Sequence, residues 1–174
     1  MEKYIFTEIF TLFPKELYSA HAGEIALKSE FQPGNGYIFK EYLYKKGNVV
    51  VSYAVPQAAL PENAEELPPF VARLLMEADA ITSYNKAILH YNDNRNIAHI
   101  IICTGEELKL ANSFKADSFE SALYFLFLSI QKLQMNPKQC VIRVCSDISQ
   151  EQEETVKRFF NGVEKNNLDN CILK

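Results

Sequence analysis

Residues 85–147 read NKAILHYNDNRNIAHIIICTGEELKLANSFKADSFESALYFLFLSIQKLQMNPKQCVIRVCSD, and their pattern decides the fold. Lys86–Tyr91, Asn96–Cys103 and Glu107–Ala116 have the composition of strands. Asn92-Asp93-Asn94-Arg95 makes the first turn between them and Thr104-Gly105-Glu106 the second. Ile97–Cys103 is nearly continuously apolar, as a strand covered on both faces must be. Ser118–Leu133 follows as a helix. Phe119, Ala122, Leu123, Leu126, Ile130 and Leu133 share one face of it, and Tyr124, Phe125 and Leu128 widen that face nearly all round. Such a helix belongs between layers. Asp117 with Glu120 supplies a capping-box start, Asn136-Pro137 a stop, and Gln139–Cys145 the next strand.

That βββαβ order opens the ribonuclease H-like fold, which actin-like ATPases use twice. It predicts an α/β chain with mixed sheets. Working back toward the amino end, Tyr4–Phe13 suits a strand, and Pro14 starts a helix reaching about Ser29. The cluster from Phe31 to Gly36 stops that helix. Tyr37–Tyr44 and Val49–Val55 form a hairpin around Lys46-Gly47-Asn48. Val49-Val50-Val51 is apolar on both faces, which makes the second strand central. Pro56 to Pro69 holds Pro61 and Pro68 as well and reads as a surface loop. Phe70–Thr82 is a helix with Phe70, Leu74 and Ala78 in line. A lobe boundary near Ser83-Tyr84 divides the chain into 1–83, a reduced first lobe, and 84–174, a more complete second one. Beyond it, Ser149 and Gln152 cap a last helix that turns Val156, Phe159, Phe160 and Val163 inward, and Cys171-Ile172-Leu173 closes as a short strand.

Composition narrows the function. The 174 residues are 48% apolar and 23% charged, enough to bury a substantial core. A net charge of −4 and the absence of any basic stripe do not suit nucleic acid, whose phosphates demand clustered Lys and Arg. Acidity sits in the first half, where 7 basic side chains face 11 acidic ones over residues 1–83. No apolar run approaches the roughly 20 residues of a membrane span, and Glu8 interrupts the opening too early for a signal peptide. A cytoplasmic location is expected. Cys103, Cys140, Cys145 and Cys171 form no Cys-x-x-Cys pair and read as buried free thiols. His21, His90 and His99 stand at no ligand spacing from them, so no metal site is expected.

The run from Val49 to Val144 is similar to a bacterial family of uncharacterised proteins with an actin-like ATPase fold. Tyr53-Ala54-Val55-Pro56 carries the likeness, with Leu108 to Phe114 and Phe119, Tyr124 and Leu126. Gln134-Met135-Asn136-Pro137 extends it, as does the strand-to-helix junction at Thr11-Leu12-Phe13-Pro14-Lys15-Glu16-Leu17. Family members are longer, with strands before the segment that begins here. The resemblance thus implies a shortened member or a piece of a longer protein.

It also implies where chemistry would lie. Actin-like ATPases grip phosphates with Asp-x-Gly-x-x-Thr hairpin turns, in which glycine lets backbone amides approach the anion. The corresponding turn here, Leu89 to Arg95, contains no glycine. A Gly-Gly pair expected for adenosine after Gln139–Cys145 is replaced by Ser146-Asp147, and none of the six glycines is paired with another. No nucleotide cofactor is therefore expected. A two-metal nuclease would need converging carboxylates, and Asp93, Asp117 and Asp147 suit turn and cap roles better. A calcium loop from Asn92 fails, because Ile97 and Cys103 stand at its sixth and twelfth positions. Ser83, Ser113 and Ser146 lack nucleophile-elbow glycines. His90 at the cleft and Asn92, Asp93, Asn94, Arg95 and Asn96 at the hairpin tip are the candidate site residues, His90 reading better as a hydrogen-bonded structural residue than as a catalytic base. Tyr4, Tyr37, Tyr42, Tyr44 and Tyr53 group on the first-lobe strands, as core or as a stacking face. These readings converge on a non-catalytic, nucleotide-degenerate actin-like fold acting as an interaction or scaffold module with protein partners. A nucleotide-binding actin-like ATPase is the alternative, and a lobe taken from a longer protein is a third.

Overall fold

The computed structural model describes residues 2–19, 21–60 and 67–173. They divide into two compact units, Met1–Arg73 with Cys171–Lys174, and Leu74–Asn170.

The first unit is built on an antiparallel sheet in the order β1-β3-β2: β1 is Ile9–Pro14, β2 Tyr37–Tyr44 and β3 Val49–Pro56. The Val-rich strand is central, with Phe10 opposite Tyr53 on one side and Tyr42 opposite Val51 on the other. Residues 50–55 are all buried. Tyr4, Tyr44 and Tyr53 are core residues, and burial pushes the Tyr53 hydroxyl up to about 12.

The opening strand differs from expectation. Tyr4 and Ile5 make isolated parallel bridges to Ile172 and Pro69, the chain bends at Glu8, and only then does β1 begin. Thr7 makes the break tolerable. Its hydroxyl donates to the Ala54 carbonyl at 2.7 Å and accepts the Ile9 N–H at 3.0 Å. Pro14 does not start a helix: it is the last residue of β1, opposite Val49, and is followed by a single 3-10 turn. Helix α1 is Ala22–Phe31, entered through His21 at φ 68° and left through Gln32 at φ 47°. Of the loop read from Pro56 to Pro69, residues 61–66, Pro61 among them, lie outside the described residues.

Gly23 fixes how closely α1 approaches the sheet. A Cβ there would lie 2.0 Å from Ser52 Oγ, so only hydrogen fits. Gly23→Ala should lower stability by about 1–3 kcal/mol through overpacking, despite alanine's better helix propensity. Urea denaturation followed by a probe in β2 or β3 checks this, with a fall in midpoint expected.

The second unit carries a five-stranded sheet in the order β6-β5-β4-β7-β8. Strands β4 (Asn85–Asn92), β5 (Ile97–Thr104) and β6 (Glu107–Lys115) form the antiparallel meander that the sequence predicts. Helix α3, Phe119–Lys132, then crosses over to β7, Cys140–Val144, which runs parallel to β4. Ala87, Leu89, Ile100, Ile102, Leu126, Ile130 and Ile142 form the core between α3 and the sheet.

Three details correct the sequence reading. The cap of α3 is Ser118, not Asp117: the Ser118 hydroxyl accepts the Ser121 N–H at 3.1 Å, one residue later than expected. Helix α4, Gln150–Phe159, starts with the expected Ser149–Gln152 box but ends sooner. Asn161 donates its N–H to the Cys140 carbonyl, and Gly162–Lys165 becomes β8, parallel to β7. Val163 therefore packs from a strand, and Phe159 is 44% exposed. Residues 169–171 form a 3-10 turn, leaving Ile172 alone in a bridge where a strand was expected.

On the other face of the sheet, the second unit's part of α2 (Phe70–Ala80) is reached through Glu77, and its Leu74, Leu75 and Ala78 are buried. Arg143 on β7 ties it down, donating to the Glu77 carboxylate at 2.7 Å and to the Glu77 carbonyl at 3.0 Å, while its other end reaches Glu164. Glu77 is buried, so removing the Arg143 guanidinium takes a close positive partner from a charge that water scarcely reaches. Arg143→Ala should cost about 3–5 kcal/mol, whereas Arg143→Met with Glu77→Leu should recover most of that loss. Denaturation midpoints of the single and paired variants check it.

Candidate functional site at the carboxyl ends of β4 and β7

Parallel β4 and β7 lie side by side, but the chain leaves β4 toward β5 and leaves β7 toward α4. Connections that part in opposite directions open a crevice at the carboxyl ends of such strands, where open α/β sheets hold ligands. The candidate residues lie here. Asn92 ends β4, Asp93, Asn94 and Arg95 form the turn, and Asn96 returns the chain at φ 54°. Asp93, Asn94, Arg95 and Asn96 are exposed.

The backbone amides of this edge are occupied by the chain's own side-chain oxygens. Asn92 Oδ1 accepts the Arg95 N–H at 3.0 Å and Asp93 Oδ1 the Asn94 N–H at 2.8 Å. Ser146 Oγ accepts the Tyr91 N–H at 3.0 Å, and Asp169 Oδ2 the Asp147 N–H at 3.4 Å. Carboxylates crowd the same place. The Tyr91 hydroxyl has its pKa raised by burial first and then by the negative charges of Asp93, Asp117 and Glu120. Asp93 and Asp117, far apart in sequence, thus act on one ring. Among the described residues, no group of three or more His, Cys, Asp or Glu side chains is disposed to hold a metal ion.

His90 lies two residues before the end of β4 and is fully buried. Its Nε2 sits 3.0 Å from Asp169 Oδ1, and because a carboxylate only accepts, Nε2 carries the proton. The loop after β8 delivers that aspartate. Asn166 and Leu168 donate their N–H groups to the Val144 and Cys145 carbonyls, laying the chain along the end of β7. Burial works against the charged Asp169 carboxylate, yet the bonds from His90 and the Asp147 N–H outweigh it and lower its pKa. His99 stands directly opposite His90 on β5, the rings 6.1 Å apart, and is buried with it. No sequence signal marked Asp169, since its contact with His90 spans 79 residues, and Ser146 stood out only as a residue in place of glycine.

All four cysteines are buried free thiols, and burial pushes Cys103 up to about 11, against the partial opposition of Lys86. Thiols in that state are poor nucleophiles. Among the described residues no helix is long and apolar enough to cross a membrane, which says nothing of a barrel.

This βββαβ unit with its open strand ends has the architecture of the actin-like ATPase fold. It superposes on a crystal structure of a Bacteroides thetaiotaomicron VPI-5482 protein with actin-like ATPase fold and unknown function, with a TM-score of 0.77 and 21% identity. The superposition takes in 95% of this chain and 69% of that one. The chain belongs to the family described as Protein of unknown function (DUF3822), which it matches over residues 4–162. No curated protein matches it.

Removing the Asp169 carboxylate leaves a buried ring N–H without its acceptor. Asp169→Ala should therefore lower stability by about 1–3 kcal/mol, and Asp169→Asn by less. Because the folded-state pKa of Asp169 is lowered, its stabilisation is present above the ordinary carboxylate range and is lost as pH falls through the folded value. Acid titration of unfolding should show the wild-type loss blunted in Asp169→Asn.

Proposed function

We propose that this chain is a non-catalytic, nucleotide-degenerate member of the actin-like fold, acting as an interaction or scaffold module among protein partners in the bacterial cytoplasm. The observation that carries this is the state of the amides at the β4–β7 edge. A phosphate held by such a fold needs backbone N–H groups pointing at it and a backbone that can approach closely. Here the Asn94, Arg95 and Asp147 amides bond Asp93, Asn92 and Asp169, so internal oxygens stand where phosphate oxygens would. The tip carries no glycine, and the negative charges of Asp93, Asp117 and Glu120 act on the Tyr91 hydroxyl beside it, which disfavours an incoming polyphosphate. The shared architecture does not oppose this, because function resides in the site and not in the fold.

A nucleotide that binds only the folded chain must stabilise it, by about 2.7 kcal/mol at a hundredfold excess over Kd. Thermal unfolding in millimolar ATP with Mg²⁺ should leave the melting temperature unchanged. A dose-dependent rise, removed by substitution at Asn92–Asn96, would reject the proposal in favour of a nucleotide-binding actin-like ATPase.

A further inference from the structure

Helix α3 is apolar nearly all round, but the sheet covers only one side of it. Phe119, Ala122, Leu123, Leu126 and Ile130 are buried in the core it shares with β4, β5 and β6. Phe125 and Phe127 turn to its flanks, where Phe125 stacks on Phe114 of β6 at 5.0 Å and Phe127 meets Phe159 of α4 edge-on at 4.8 Å. The outward row is Glu120, Tyr124, Leu128 and Lys132, each one turn from the next. Tyr124 is 61% exposed, Leu128 beside it is half-buried, and Phe159 on the flank is 44% exposed. A helix apolar on every side belongs between two layers, and among the described residues only the sheet is there.

Charge selects what covers the open side. Glu120 and Lys132 stand exposed at the two ends of the row, and among the described residues neither takes part in an ion pair. Both suit the dipole of their own helix, Glu120 in its first turn and Lys132 in its last, which accounts for their order. The dipole does not account for Tyr124 and Leu128 standing between them. Laid antiparallel on the same row of a second copy, about a two-fold axis level with Leu126, Glu120 faces the partner's Lys132 and Tyr124 faces the partner's Leu128. Symmetry makes each contact twice. Packing of such i, i+4 rows against each other is the commonest meeting of two helices. Parallel packing would set glutamate on glutamate and lysine on lysine, so the row complements itself in one direction only. We propose that two copies of this chain associate through antiparallel α3 helices, with Tyr124 and Leu128 as the apolar centre and Glu120 and Lys132 as the charged ends. A second copy is then the partner in the interaction role proposed above. This pairing rests on that role and not on the loss of nucleotide binding.

Sedimentation velocity of the full chain in low salt, from micromolar to hundreds of micromolar, tests this. A dimer should form in that range. Tyr124→Gln removes apolar surface from an exposed helical position and should raise the dissociation constant about tenfold or more, with circular dichroism unchanged. Glu120→Lys alone sets lysine against lysine at both ends, and Lys132→Glu alone sets glutamate against glutamate. Each should weaken self-association by about tenfold. Mixed in equal amounts, those two variants should associate as the wild type does, because every end then meets its opposite charge. Misfolded chains could not do so, and a partner other than a second copy would not respond to the mixing. A monomer at every concentration overturns the proposal, as does a dimer indifferent to these substitutions, or a mixture that stays monomeric. Stabilisation by Mg-ATP with the dimer intact would reject the nucleotide reading alone.

Discussion

Strands β4 and β5 are covered on both faces, and that double burial governs every polar side chain placed on or beside them. Ile88, Leu89, Ile100, Ile101 and Ile102 are fully buried, so water reaches neither side. A donor in such a layer that lacks an acceptor is destabilising by about 1–3 kcal/mol. Three donors on the α2 side have specific acceptors from elsewhere in the unit. Lys86 donates to the Ile81 carbonyl at 3.1 Å, His90 to Asp169, and Arg143 to Glu77. Those three bonds tie the end of α2, the loop after β8 and β7 to one sheet. They are the specific part of a core whose remainder is hydrophobic packing.

The same satisfaction of donors reaches the rim of the sheet and gives it its character. A phosphate-binding edge keeps its amides unmet until the ligand arrives, which in apo protein requires solvent access and small residues. This edge does the opposite. Asn92, Asp93, Ser146 and Asp169 fold their oxygens back onto the backbone, holding a sharp turn without glycine.

What could be read from the sequence follows from how local each determinant is. The β4–β5–β6 meander was legible because Ile97–Thr104 is apolar on both faces and its bounding turns are Asn- and Gly-rich. The central place of β3 was legible for the same reason. Pro14 misled because proline suits both the end of an edge strand and the first turn of a helix, and only pairing with Val49 decides. Val163 misled because its spacing from Val156 and Phe159 is helical, while the Asn161 bond to Cys140 that breaks the helix comes from a distant strand. Among the candidate site residues the tip was visible as a turn. The partnership of His90 with Asp169 was not, because nothing local announces an acceptor 79 residues away.

Tyr4 and Ile172 lie side by side in the first unit, each bonding the other's segment: the Tyr4 N–H to the Cys171 carbonyl and the Leu173 N–H to the Tyr4 carbonyl. The second unit, by contrast, is one uninterrupted stretch from Leu74 to Asn170. Pairing Tyr4 with Ile172 closes a loop of chain that contains that whole stretch, and the entropy of such closure grows only slowly with loop length. The first unit is thus closed by a nonlocal contact whose cost falls on the rate of folding more than on stability.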